Sequence, residues 1–308
     1  MDELAKYNQE RWEALVAAGI EYGRPLLDLD KESARAWVAE EALLPDEVID
    51  NLAGKDVFVL AGGGGQQTAA LSLLGANVTV LDLTDGQLAG DRLAAEHYGY
   101  DLRIEQGDMR DLSRFDDDAF DFVWQPYSIN FVPDFRPVVD GVARVLRPGG
   151  CYRLDIANPF AGSIWEDSWH EKGYALNTIY KDGSEHIDVD PHWDVTAVDG
   201  QLQQIVGPRE FQHALGPLLT YLADRGFVLK GMWERPDEGD PDAQPGSWEH
   251  FISVCRPGCG CCLSTRRNLV GNAFWRDRLA IYSGAFSSTR SSHSLIKSPI
   301  KGSFSSMK

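Results

Sequence analysis

Long apolar runs are missing from this 308-residue chain. None approaches the ~20 residues that a helix needs to cross a bilayer, so no membrane span is expected. The opening MDELAKYNQE is polar and acidic, and is not read as a secretory signal. Cysteine is scarce too. Cys151 stands alone until Cys255, Cys259, Cys261 and Cys262 cluster late in the chain. One cysteine in so long a stretch excludes a disulfide framework there and fits a reducing cytoplasm. The late cluster, C-x3-C-x-C-C, lacks the two separated ligand pairs of a zinc site, so no metal is expected. Basic residues are sparse through most of the chain. Nine of the 29 Lys and Arg, but only one of the 47 Asp and Glu, fall after residue 254. The first 254 residues therefore carry a net −26 and the last 54 carry +8. A body that acidic repels a phosphate backbone, which argues against nucleic acid as its partner.

What is present is an alternation of strands and helices. Residues 1–45 read as a helical cap of two short helices. Trp12, Leu15 and Val16 share one face, with Gly19 placed to end the first helix. Asp30 is positioned to cap the second. From residue 56, DVFVL, NVTVL, DLRIE, FDFVW and CYRLDI read as strands. The first is apolar at nearly every position, as a strand buried on both faces is. Thr84 and Gln87 read as a capping box, and Val138, Val139, Val142 and Val145 as one helical face. This alternation predicts an α/β sandwich over 46–255. Residues 157–205 interrupt it as an insertion rich in Trp, Tyr and His, with a hairpin turn at Asp199-Gly200. The rhythm resumes with a helix around Leu218 and strands at Phe227–Trp233 and His250–Val254. Residues 256–308, serine-rich and basic, are expected to be a disordered tail.

The chemistry gathers at strand ends. AGGGG follows the first strand, where absent side chains let a ligand approach the backbone. The dinucleotide pattern G-x-G-x-x-G fails, because Gln67 stands at its third glycine. Small-x-Gly-x-Gly fits instead, with Ala61, Gly63 and Gly65. Asp82 ends the second strand and can take both hydroxyls of a ribose. Asp108 and Met109, after the third, can take an adenine. The carboxyl edge of consecutive strands is where open α/β sheets bind ligands.

These segments resemble class I S-adenosylmethionine-dependent methyltransferases, of the subgroup holding the ubiquinone and menaquinone methyltransferases. VFVLAGGGGQQT, VTVLDLTDGQL, IEQGDMRDL, FDFVWQPYSINFVPD, RVLRPGG, DRGFVLKGMWE and WEHFISV carry the resemblance over roughly 45–255. It implies a Rossmann-like seven-stranded sheet, its last strand antiparallel, with helices on both faces and a substrate lid at 157–205. It implies S-adenosyl-L-methionine as cofactor. Ala61, Gly62, Gly63 and Gly65 would wrap the methionine end, whose carboxylate would face the helix starting near Gln66. Asp82 would hold the ribose and Asp108 and Met109 the adenine, with Leu83 also among the cofactor-binding residues. Gln125 would reach the methionine portion. Val59, Ala61 and Asn130 depart from the family's acid, first glycine and histidine. Trp124 and Tyr127 are candidates to face the sulfonium. Tyr127, His170 and His192 are the candidate catalytic groups, and His186 lies in the same lid. Trp165, Trp169 and Trp193 suggest a small apolar or aromatic methyl acceptor. The expected activity is cytoplasmic methyl transfer by in-line displacement. Two alternatives stay open: a non-catalytic protein binding S-adenosylmethionine or S-adenosylhomocysteine, and a nicotinamide-dependent oxidoreductase. The oligomeric state is left open.

Overall fold

The apolar runs assemble into one sheet. The computed structural model describes residues 1–44, 46–164, 168–177, 179–185, 192–196, 200–234, 239–255 and 258–265. Strands β1 (Asp56–Leu60), β2 (Asn77–Asp82), β3 (Leu102–Gln106), β4 (Phe120–Gln125) and β5 (Leu146–Ala157) are parallel neighbours in the order β3-β2-β1-β4-β5. Helices α4 (Gln67–Leu73), α5 (Asp85–Tyr98) and α6 (Arg136–Val145) connect them. Alternation along β1 shows that both faces are covered. Phe58 and Leu60 join a core with Val138, Val142 and Val145 of α6, whereas Val57 and Val59, equally buried, face the other side. The order reverses between β1 and β4, and the crevice beyond their carboxyl ends is where such sheets bind ligands.

The N-terminal cap forms as expected. Helix α1 (Glu3–Ala17) is capped by Asp2, and Gly19 turns the chain at φ 83°. Helix α2 (Lys31–Ala42) is capped by Asp30 and Ser33, whose side chains bond each other's backbone amides. A short α3 (Asp46–Asp50) leads into β1. Within the insertion, β6 (Trp169–His170) pairs with β7 (Gly173–Tyr174) and β8 (Ser184–Glu185) with β11 (Phe211–Gln212). Strands β9 (His192–Thr196) and β10 (Leu202–Val206) pair antiparallel around Gly200, so the hairpin is present, although Asp199 lies outside the described residues.

Three expectations are corrected. Residues 250–254 are not a strand but part of helix α8 (Trp248–Val254), capped by the Ser247 hydroxyl. Phe251, Ile252 and Cys255 recur at helical spacing and pack on Ala161 and Ile164; a short apolar run fits either element, and burial decides. The last strand is instead β13 (Gly258–Thr265), inside the segment read as a disordered tail. It lies antiparallel between β5 and β12 (Phe227–Glu234), which follows α7 (Leu215–Asp224). Its small residues suit the place, since a Cβ at Gly260 would lie 2.5 Å from the buried Arg153 guanidinium carbon. The tail beyond residue 265 falls outside the described residues. Finally, Thr84 forms no capping box with Gln87. Its hydroxyl donates to Asp82 at 2.9 Å, and the first amides of α5, from Asp85 and Gly86, reach Glu13 of α1 instead. Among the described residues no helix is long and apolar enough to cross a membrane.

Candidate functional site

The turn after β1 is set by close backbone packing. Gly65 sits at φ 81°, where a Cβ would lie 2.5 Å from the Gly90 carbonyl oxygen on α5. A Cβ at Gly63 would lie 2.7 Å from the Cβ of Gln87 and 3.2 Å from the Asp82 carboxylate. Both positions therefore exclude a side chain. Ala61 also takes a left-handed φ of 49°, which costs a non-glycine residue about 1–2 kcal/mol. Asp91 anchors the turn from α5. Its fully buried carboxylate accepts the Gly65 and Gly64 amides at 3.1 and 3.3 Å and the Thr68 hydroxyl at 2.6 Å. Burial raises its pKa to about 7, against the Thr68 hydrogen bond, with the Asp82 charge adding to the rise. Sequence reasoning missed Asp91; its signal was an acid directly after Gly90.

Asp82 stands at the end of β2 with its carboxylate held on two sides. The Thr84 amide and hydroxyl donate to one oxygen, each at 2.9 Å, and the Gly63 amide donates to the other at 3.2 Å. Burial pushes its pKa up, against those bonds. Asp108 is gripped by Arg110, whose guanidinium also binds Asp2 at 2.7 Å and so pins the start of α1 beside this loop. That bond, with the Ala5 amide, lowers the Asp2 pKa to about 2.

Helix α1 roofs the crevice through polar contacts that no local pattern announces. Gln9 donates to the Leu83 carbonyl at 2.8 Å. Buried Asn8 donates to the Phe131 and Arg209 carbonyls at 3.2 Å and accepts the Arg209 amide at 2.9 Å. These bonds join the cap to the loops after β2 and β4 and to the chain after β10.

Beneath the roof lies a cavity of about 1330 Å³. Ala61, Gly62, Gly63, Asp82, Leu83, Asp108 and Met109 line one part of it, as expected of a cofactor site. Two residues on its wall, Gln67 and Gln87, each hold a buried side-chain oxygen with no hydrogen-bond partner among the described residues. Unpaired buried acceptors call for a donor-bearing ligand, and a nucleoside with an amino-acid tail offers such donors. With the side-chain-free turn and the two strand-end acids, the residues fit S-adenosylmethionine.

Other expected residues fall elsewhere. Gly65 serves the turn rather than the wall. Gln125 is fully buried off the wall, donating to Met109 Sδ at 3.3 Å and accepting from the Tyr152 hydroxyl, so it positions Met109. Trp124 lines the cavity with its indole N–H on Asp155 at 3.1 Å. Trp193 lines it as well, edge-on to Trp12 with centroids 5.5 Å apart. Trp169 packs instead against Tyr174 and His250, away from the cavity lining. His170 and His192 are exposed on β6 and β9 and do not line it. Trp165 and His186 lie outside the described residues.

Tyr127 lines the cavity from the turn after β4, at a left-handed φ of 55°. Asn130, in the place of the family's histidine, closes that turn by donating to the Tyr127 carbonyl at 2.8 Å. The Tyr127 hydroxyl donates to Glu210 at 3.0 Å. Glu210, which the sequence did not single out, also lines the cavity.

A methyltransferase domain model matches residues 59–154. An uncharacterized methyltransferase of Bacillus subtilis, YbaJ, is 28% identical over 239 residues, covering 76% of this chain and 91% of its own. The demethylmenaquinone methyltransferase of Clavibacter sepedonicus is 38% identical over 101 residues, covering 32% of this chain and 40% of its own. The ubiquinone biosynthesis O-methyltransferase of Pseudomonas syringae is 32% identical over 127 residues, covering 41% and 51%. Against these two quinone-pathway enzymes the chain thus spans about half the relative's length or less. Among solved structures, an S-adenosylmethionine-dependent methyltransferase from Clostridium acetobutylicum aligns with TM-score 0.53 at 16% identity, covering 77% and 93%, a likeness of fold.

Proposed function

We propose that this chain, whose residues 59–154 match a methyltransferase domain, is an S-adenosylmethionine-dependent methyltransferase that methylates a small, largely apolar or aromatic molecule in the cytoplasm by in-line displacement. One observation carries the reading. The cavity of about 1330 Å³ exceeds the roughly 300–1000 Å³ of a single-ligand pocket, and two kinds of residue line it. Glycine backbone and strand-end acids are one kind, and the rings of Trp12, Tyr127, Phe131 and Trp193 the other.

S-adenosylmethionine supplies a methyl group already activated on a sulfonium. The protein's share is alignment and exclusion of water. Asp82 would accept both ribose hydroxyls, and Asp108 the adenine amino group, with Met109 against the ring. The 61–63 backbone would border the amino-acid portion. Trp124 and Tyr127 would present aromatic faces to the positive sulfur. The α1 roof, stitched by Asn8 and Gln9, would keep water out. Methyl-labelled cofactor offered with a metabolite extract, and the labelled product identified by mass, tests the reading. A labelled apolar product supports it; labelled protein or nucleic acid alone refutes it.

A further inference from the structure

The acceptor part of the cavity holds a carboxylate that no cofactor role requires. Glu210 follows β10, and its partner is the Tyr127 hydroxyl at 3.0 Å. Adjacent Arg209 lies over the Tyr7 ring at 4.8 Å from its centroid. Tyr127 is itself held in a strained turn, at φ 55°, by Asn130. Strained positions of this kind cluster at functional sites. Around the pair runs an aromatic series. Tyr127 meets Phe131 edge-on at 6.1 Å, Phe131 meets Trp12 at 5.3 Å, and Trp12 meets Trp193 at 5.5 Å. All four rings and Glu210 line the same cavity.

We propose that Glu210, positioned by Tyr127, accepts the proton of the methyl acceptor, and that the acceptor is a planar apolar molecule whose nucleophile is a hydroxyl or an amine. This rests on the methyltransferase reading above. The acceptor oxygen or nitrogen forms its bond to the methyl carbon as the carbon–sulfur bond breaks. The electron pair of that bond stays on sulfur, leaving a neutral thioether. The proton on the acceptor atom moves to the Glu210 carboxylate, which later returns it to water. Desolvation in the cavity raises the Glu210 pKa to about 7, opposed by the Tyr127 hydrogen bond, and a base is most effective when its pKa lies near the working pH. The other titratable or charged groups on this wall are Tyr22, Glu21 and Glu41 from the cap, Asp194 on β9, and Arg24. Tyr22 is raised to about 12 by burial, with Glu21, Glu210 and Glu41 adding to the rise, so it stays neutral. The Arg24 guanidinium is spent on the Gly19 and Thr196 carbonyls.

The test uses the full chain, methyl-labelled S-adenosylmethionine, and a probe panel of naphthols, anilines, indolic amines and, as proton-free controls, aryl thioethers and tertiary amines. The wild type should methylate at least one hydroxyl or amine probe, with kcat rising through a single inflection near pH 7. Glu210→Gln should lower kcat by about 100-fold or more and erase the inflection, and Glu210→Asp should restore part of it. Tyr127→Phe should shift the inflection. Calorimetric affinity for S-adenosylhomocysteine and the melting temperature with it bound should stay near wild type in all variants, which separates a lost base from a lost fold. Unchanged kcat in Glu210→Gln, or transfer only to the proton-free controls, overturns the proposal. Cofactor binding with no transfer to any probe also overturns it while leaving the methyltransferase reading standing. Failure of the wild type to bind cofactor overturns that reading instead.

Discussion

The part of the cavity proposed for the cofactor is drawn from one stretch of chain, residues 61 to 109, while the part proposed for the acceptor is drawn from Trp12, Tyr127, Phe131, Trp193 and Glu210. The first uses backbone and strand-end acids delivered by consecutive parallel strands, so sequence neighbours become neighbours in space. The second uses rings and a carboxylate that meet only because α1, the turn after β4 and the β9–β10 hairpin close over one crevice. A ligand common to a family can be held by a local motif. A ligand particular to one enzyme is held by whichever distant side chains the roof brings in.

The comparison can be broken most severely at the sheet. Ending the chain after residue 255 removes β13 from between β5 and β12, and no cooperative thermal unfolding should remain by circular dichroism. A truncated protein melting like the full chain would remove β13 from the account. Next, Gly65→Ala places a Cβ against the Gly90 carbonyl at a positive φ, and should destabilise by about 2–4 kcal/mol in urea titration with cofactor affinity falling alongside. Asp82→Ala should cost about 2–3 kcal/mol of S-adenosylhomocysteine affinity by calorimetry, through loss of a charge-assisted bond pair. Unchanged affinity would show that Asp82 does not hold the ribose. Trp193→Ala should do the reverse, leaving cofactor affinity within about twofold while the KM of an accepted probe rises by about 1–2 kcal/mol equivalent. Equal losses on both ligands would mean the cavity has no separate ends.

The smallest effect concerns pH. Burial raises Asp91 to about 7, above the usual carboxylate value in the unfolded chain. The folded state therefore binds this proton more tightly. The group's contribution to stability is present below the unfolded value and declines as pH rises toward 7. Asp91→Asn lacks that decline, so the variant's melting temperature relative to wild type should climb between pH 5 and pH 8. A constant difference would show that Asp91 is already ionised across that range.

Much of the fold was legible in the chain. Continuous apolar runs gave β1, β2 and β4 within a residue or two, because strands buried on both faces have no polar side to blur them. The 250–254 helix was not legible, since five apolar-rich residues carry too short a period. Strand β13 was hidden for another reason. GCGCCLST has little strand propensity, and its place depends on the bulk of Arg153 across the sheet. Among the residues lining the cavity, Asp82, Asp108 and Met109 announced themselves by standing at or just after strand ends. Gln125 also stands at one, yet turns into the core, because alternation along β4 fixes which side it takes. Trp169 and Trp193 are indistinguishable by composition; only the packing of β6 on α8 and of β9 on α1 separates them.

The sequence by itself thus determined the parallel strands and the edge at which the glycine turn and the acids stand, because each is encoded in segments of five to ten residues whose pattern needs no partner. Tertiary structure alone decided the roof, the last strand, the Asp91 anchor and the pairing of Tyr127 with Glu210. Those depend on burial and on contacts between residues far apart in the chain, and burial is what gives a surface-looking glutamate a pKa near neutrality.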